Sequence, residues 1–352
     1  MLINILIGLV VISVIIIAHE LGHLITAKAV GVKVEEFGLG FPPRLLSIKR
    51  WGTIYSLNAI PFGGFNRLAG EEDPEVPNSL AGKGIGTRLL VLSAGSLMNI
   101  LLALLLFSIT FMIPQNIRTG DVLVEEVAPD SPAATAGIMP EDIILSLNEK
   151  PVNSNFDLQR YIQLNLGNEI TILVQHSDAT TESFQLTPRW KPPEGEGSIG
   201  VAIKTINTTV TRQSYPFWEA IPRGFIGLIE TCILYKNGMV GVIMGAVPAE
   251  FMGPVGIAQA TGEIASYGIV PLLEFAAFIS LILGIINLFP LPALDGGRIA
   301  FVLLEWVRRG KRISPKREGL VHLIGFIMFM VLMLAITLQD IIRIASGESI
   351  IP

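Results

Sequence analysis

The sequence predicts a polytopic α-helical membrane protein: four transmembrane helices, a cytoplasmic membrane-associated β-hairpin region, and one extracytoplasmic α/β domain. Three observations carry this. Of 352 residues, 51% are hydrophobic and 16% charged, with a mean hydropathy of +0.59; an ordinary globular chain carries about 25% charge. Four runs almost free of charge are long enough to cross a bilayer, which takes roughly 20 apolar residues as a helix. Lys and Arg are concentrated in two short loops. The hydrophobicity excludes a disordered chain. A net charge of −5 leaves no basic excess for nucleic acid. The single cysteine, Cys232, excludes an internal disulfide framework and any multi-cysteine metal site.

The first span (1–27) runs uncharged from Leu2 to Ala18 and continues through His19-Glu20 to Ala27. It lacks a positive leading stretch and a small-residue cleavage site, so it reads as retained rather than as a signal peptide. A loop with a β-hairpin follows (28–88), then a second span (89–114) built on the uncharged run Leu89–Ile113. The third span (271–294) holds Phe275–Leu294, and the fourth (320–343) holds Leu320–Gln339, with His322 its one titratable residue up to Gln339. The 13 residues Asn237–Ala249 are short for a crossing and suit an interfacial or re-entrant helix within a linker (207–270).

Orientation follows from the basic residues. Residues 28–88 hold 8 Lys and Arg, and the loop 295–319 holds 7, whereas the 161 residues from 114 to 274 hold 9 against 18 acids. The two basic loops are therefore expected in the cytoplasm. The acidic segment and both termini are expected outside.

That segment (115–206) has the pattern of a soluble α/β domain. Asp121–Val127 alternates as a strand, Ser131 to Gly137 reads as a short capped helix, and a strand is expected at Ile143–Asn148. An amphipathic helix near Asn155–Leu166 and strands near Ile170–Gln175 and Ser183–Thr187 complete it. The stretch Pro129–Val152 resembles the PDZ domains of bacterial proteases over roughly residues 117–205. Such domains take a peptide as an added strand beside a helix. Here that groove is expected between Val122-Leu123-Val124 and the helix bearing Phe156, unless the domain is a plain spacer. Phe37-Gly-Leu-Gly-Phe41 mimics a PDZ carboxylate-binding loop, but it falls on the opposite side of the membrane and reads as coincidence.

The chemistry lies on the spans. His19-Glu20-Leu21-Gly22-His23 is an H-E-x-x-H motif. Residues i and i+4 share a helix face, so both imidazoles reach one Zn²⁺, and Glu20 is offset to take a proton from an activated water. Ionisable residues inside a span cost about 3 kcal/mol or more each, and a divalent cation compensates them. A catalytic zinc needs a third protein ligand. His176 lies in the soluble domain, and His322 reads as a packing or interfacial residue. Asp295, after Pro290 and Pro292 break the third span, is the better candidate. Spans one and three run in the same direction, so His23 and Asp295 reach the same depth near the cytoplasmic face. That agreement requires that 237–249 not cross.

With these residues assembled, the chain resembles the site-2 protease family of intramembrane zinc metalloproteases, in its regulator-of-sigma-E branch with a single PDZ domain. The resemblance rests on His19–His23, Pro61-Phe-Gly-Gly-Phe65, Ala94-Gly-Ser-Leu-Met-Asn99, Phe251–Ile257 and Asn287–Gly297. It implies cleavage of a substrate's transmembrane segment near the cytoplasmic side, with His19, His23 and Asp295 holding one zinc and Glu20 as general base. It further implies substrate contacts at Asn287, Pro290, Gly63, Gly64, Phe65 and Asn99. Implied partners are single-span membrane proteins trimmed beforehand by another protease, such as anti-sigma factors or remnant signal peptides, in a bacterial cytoplasmic membrane.

Helical substrates hide their carbonyls in i→i−4 bonds, so a substrate must unwind, and an edge strand can pair with the freed backbone. Arg44–Arg50 and Thr53–Ile60 read as a hairpin on the correct side for this, or as a cap over the helices. Phe217–Tyr235 suits the outer leaflet surface, or a linker. Two other classes compete. A divalent-cation transporter would need polar groups along a full path, and these sit at one depth. A catalytically silent PDZ scaffold would not need Glu20.

Overall fold

A computed structural model of the chain describes residues 2–248 and 252–346; Ala249 and Phe251, which belong to two of the stretches above, lie outside them. In chain order the elements are α1 (Leu2–Ala29), β1 (Val34–Arg50), β2 (Thr53–Leu68), α2 (Ile85–Met112), β3 (Gln115–Val127), α3 (Pro132–Ala136), β4 (Ile143–Leu147), β5 (Lys150–Pro151), α4 (Asn155–Leu164), β6 (Ile170–Gln175), β7 (Thr181–Leu186) and β8 (Val201–Gln213). There follow α5 (Phe217–Ile243), α6 (Pro254–Ala265), α7 (Ile269–Asn287), α8 (Asp295–Val307) and α9 (Pro315–Ser346). They form two units, residues 1–110 with 251–352, and residues 111–250.

In the first unit, β1 and β2 are long enough to fold back on themselves. The inner half of β1 pairs on one side with the end of β2 (Phe37↔Asn66, Gly38↔Phe65) and on the other with its beginning (Phe37↔Tyr55, Gly38↔Ser56). The outer half of β1 continues as a hairpin arm (Arg44↔Asn58 to Arg50↔Thr53), turning at Trp51 and Gly52, both with positive φ. The sequence foresaw this arm and missed the inner ladder. Buried Glu36 holds the fold-back together. It accepts bonds from Ser56 Oγ at 2.7 Å and Arg44 Nη2 at 2.6 Å. Burial pushes the Glu36 carboxyl up, but the Ser56 and Arg44 bonds prevail and hold it below its ordinary range.

Helices α1, α2, α7 and α9 belong to this unit and are long and apolar enough to cross a membrane. Ionic ties to the buried carboxylate of Glu305 join its elements. Arg88 at the start of α2 meets Glu305 of α8 at 2.5 Å, and Arg312 meets the same carboxylate at 3.0 Å. Helix α6 lacks a capping side chain of its own, and Asp340 of α9 supplies one, accepting from the N–H groups of Gly253 (3.0 Å) and Gly256 (2.8 Å). The segment read as a basic loop, 295–319, begins with the helix α8. The third span ends at Asn287, before the prolines, as their missing N–H groups and the preceding-residue restriction require.

The second unit is a sheet in the order β7-β6-β4-β3-β8, with β5 beside β4. Its core is Val122, Val124, Ile144, Leu147, Leu158, Ile170, Ile172 and Val174, all 1% exposed or less. Ser131 Oγ accepts from Ala134 N at the start of α3, and Gly137, at φ 105°, ends it. The expected peptide groove needs correction. β3 lies between β4 and β8, pairing with β8 from Gln115↔Gln213 to Val127↔Val201. Val122 and Val124 point into the core, so Val122-Leu123-Val124 offers no free edge. The edge near α4 is β8, where Asn155 Nδ2 donates to Ile203 O, while Phe156 stands exposed. The partner strand of β3 begins 74 residues after it ends (127 to 201), and no local pattern reveals such a pairing.

The apolar stretch 237–249 is also redrawn. Its first seven residues are the end of α5, a 27-residue helix that becomes a fifth one long and apolar enough to cross a membrane. Two of its polar positions find partners within the same unit. Glu230 pairs with Arg160 (2.7 Å) and Lys150 (3.1 Å), and Asn237 Nδ2 donates to Gln163 O at 2.7 Å.

One pH dependence follows from this domain. His176 Nδ1 lies 2.6 Å from Asp142, with Glu182 on its other side at 3.4 Å. The Asp142 bond raises the imidazole pKa above its ordinary 6.5. The fold therefore favours the protonated ring. That stabilisation is complete below about pH 6.5 and is lost as pH rises through the raised value. Hydrogen-exchange protection of β4 and β6 in the full chain, corrected for intrinsic rates, is expected to fall over this window. In His176→Phe the fall should vanish.

Candidate metal centre

Three donor atoms converge beside the C-terminal half of α1. His19 Nε2 and His23 Nε2 each lie 3.1 Å from Asp295 Oδ2, and 3.2 Å from one another. The helical i, i+4 spacing stacks the two imidazoles on one face, and both histidines are buried. Asp295 arrives from a separate element. After α7 ends, residues 288–294 turn back, and Ala293 takes a positive φ of 83° before Asp295 opens α8. A Cβ on Gly296 would stand 2.0 Å from Phe289 O, so only glycine allows this turn to close against itself.

The donor set fits zinc. Tetrahedral ligands at about 2.0–2.1 Å from an ion stand about 3.3 Å apart, close to the three separations here. His23 Nδ1 lies 2.8 Å from Val91 O and must donate to it, which leaves the Nε2 lone pair free for a metal. Gly95 of α2 makes room: a Cβ there would stand 2.4 Å from His23 Nε2 and 2.6 Å from His19 Cε1. Among the described residues, these three are the one cluster of His, Cys, Asp or Glu placed to hold an ion.

Glu20, between the ligands in sequence, points elsewhere. Its Oε2 accepts from Asn66 Nδ2 at 2.8 Å, and its carboxylate shares a cavity of about 460 Å³ with His19, His23 and Asp295. Gly64, Phe65, Asn66 and Leu68 at the end of β2 form one wall, and Arg298, His322 and Phe326 stand on others. The part of the sheet at the metal centre is thus the end of β2, not the hairpin arm.

Of the residues expected in the site, His19, Glu20, His23, Asp295, Gly64 and Phe65 come together. Gly63, Asn287, Pro290 and Asn99 are not among the described residues lining this cavity. Asn99 is fully buried on α2, and its carbonyl accepts from Ser280 of α7, a helix-packing position. His322 lines the cavity outside the ligand cluster and accepts a long bond, 3.5 Å, from Ala293 N. Two residues were missed. Asn66 directly follows Phe65, and Gly95 lies within Ala94–Asn99, so both sit in stretches that the sequence already marked.

Comparison with known proteins agrees with this chemistry. The model of peptidase family M50 matches residues 7–332. A Clostridium acetobutylicum protein with a provisional zinc-metalloprotease name is 35% identical, over 96% of this chain and 97% of its own length. Zinc metalloprotease RasP of Geobacillus kaustophilus is 30% identical, over 95% and 96%, and RasP of Oceanobacillus iheyensis is 27% identical, over 94% and 97%. A solved PDZ domain from a Listeria monocytogenes protein aligns with 24% of this chain at 23% identity, with a TM-score of 0.21, too slight a likeness to argue from. With an H-E-x-x-H helix, an aspartate completing the ligand set and a family match over most of its length, the chain belongs to peptidase family M50, the site-2 proteases, as an intramembrane zinc metalloprotease.

Proposed function

We propose that this enzyme hydrolyses peptide bonds within the transmembrane segments of single-span proteins, near the cytoplasmic face of a bacterial inner membrane, with one zinc per chain. Its substrates are proteins already trimmed outside by another protease, of the kind represented by anti-sigma factors and remnant signal peptides. The observation that carries the reading is the meeting of α1 with the turn after α7. His19 and His23 lie in the C-terminal half of apolar α1, and Asp295 follows the end of apolar α7 by one turn-back of the chain, which supports a centre within reach of a helix in the bilayer.

His19, His23 and Asp295 would hold a zinc, which would supply the polarisation of a water and of the scissile carbonyl. The residues do the rest. Glu20 takes the proton of the attacking water and returns it to the departing amine. The extended backbone at Gly64–Leu68 offers an unwound substrate a strand to align with.

The meeting of the two helix ends also favours four crossings over five. α1 and α7 must run in the same direction, so an even number of crossings separates their ends. α5 therefore lies on the outer surface with the PDZ-like domain. Glu230 supports this, because it pairs with that domain 13 residues into the helix, about 20 Å along it and short of a bilayer core. Reporter fusions at residues 75 and 310 should give the cytoplasmic signal and one at 180 the external signal, whereas a fifth crossing would move 310 outside. The purified enzyme in liposomes should cut a single-span substrate inside its apolar segment. Cleavage confined to soluble proteins would overturn the assignment.

A further inference from the structure

General-base catalysis depends on where the carboxylate points, and a glutamate has three side-chain torsions to fix. In this protein one neighbour fixes them. Asn66 Nδ2 lies 2.5 Å from the main-chain oxygen of Glu20 and 2.8 Å from its Oε2. An amide nitrogen has two hydrogens, and both are spent on the two ends of a single residue. The reversed amide would set Oδ1 against two oxygens, so the network decides its orientation. Asn66 is itself held by the ladder between β1 and β2, opposite Phe37. Gly64, two residues earlier, supplies the space: a Cβ there would stand 3.2 Å from Glu20 Cγ.

We propose that Asn66 is a positioning residue for the proton transfer: it clamps the Glu20 carboxylate to the Glu20 main chain. Oε2 is thereby occupied, and Oε1 is left as the oxygen that handles the proton. The clamp ties the catalytic group of a helix to a sheet, and sheet and helix must keep register for the enzyme to work. A reactive group held in one orientation keeps the advantage of an effectively unimolecular step, and a displacement of about 1 Å forfeits about 10²-fold. This inference rests on Glu20 being the general base, and cleavage by the wild-type enzyme tests that reading separately.

The test is steady-state cleavage of a reconstituted single-span substrate, with zinc affinity measured by chelator competition. Asn66→Leu keeps the volume and removes the donor. We expect kcat to fall about 10- to 100-fold, with KM and zinc affinity each within about twofold of wild type. Asn66→Asp, which keeps the shape, serves if the leucine variant does not fold, and should lose at least as much. Asn66→Gln retains an amide and should recover part of kcat. In a Glu20→Gln background Asn66→Leu should cost nothing further, because the group it positions is gone. Unchanged kcat in both Asn66→Leu and Asn66→Asp would overturn the proposal. So would a loss that appears in KM or in zinc affinity alone, or one that persists undiminished in the Glu20→Gln background.

Discussion

Glu20→Gln is expected to retain zinc at the wild-type stoichiometry and to lose cleavage of a single-span substrate by about 10³-fold or more. The two halves have separate grounds. Metal retention follows because the converging donor atoms belong to His19, His23 and Asp295, and the Glu20 carboxylate is bonded to Asn66 instead. Glutamine keeps an oxygen able to accept that bond, so the helix and the cavity wall are undisturbed. Activity is lost because an amide cannot accept the proton of the attacking water, and a positioned acid–base group contributes about 10²–10⁴-fold. Elemental analysis and single-turnover cleavage on the same preparation separate the halves. Undiminished cleavage would remove Glu20 from the mechanism. Loss of zinc would make it a ligand and return the search for a base to the cavity.

What could be read from the sequence divides by the range of the interaction. His19, Glu20 and His23 were legible because a helix converts a spacing of four into shared direction, with no tertiary information needed. Asp295 was expected from sidedness, on the reading that spans one and three run in the same direction, and its carboxylate does meet His19 and His23. Asn66 was not: its role depends on a strand passing beside α1, and nothing local says which residue of that strand faces Glu20. The same reason hid the pairing of β8 with β3, and with it the sheet edge near α4. The length of α5 was hidden differently. Glu230 and Lys236 broke the apolar run that signals a span, and Glu230 is balanced by Arg160 and Lys150 far away in sequence. Charge counting along the chain registers an interruption where the folded helix has an ion pair.

Asp295→Ala is expected to weaken zinc binding by more than 100-fold and to abolish cleavage with it. Asp295 is the only one of the three ligands not on α1, and its Oδ2 stands 3.1 Å from both histidine nitrogens. The remaining pair would hold the ion through neutral nitrogens alone, with no anionic donor to offset its charge. Substitutions of groups that merely orient a ligand typically cost 10- to 100-fold, so loss of the ligand itself must exceed that. Asp295→Asn keeps an oxygen at the same place without the charge and should fall between. The deeper consequence is mechanical. An ion held by His19, His23 and Asp295 would join α1 to the start of α8, so its binding energy would also be cohesion between those elements. Wild-type protein at a free zinc concentration of 100 times the Kd should gain about 2.7 kcal/mol over the chelated form, and the gain should grow with added zinc. Asp295→Ala should show one melting temperature whether zinc or chelator is present. A variant that lost activity but kept the zinc-dependent rise would place the third ligand elsewhere in the cavity. His322, standing on its wall, would be the residue to substitute next.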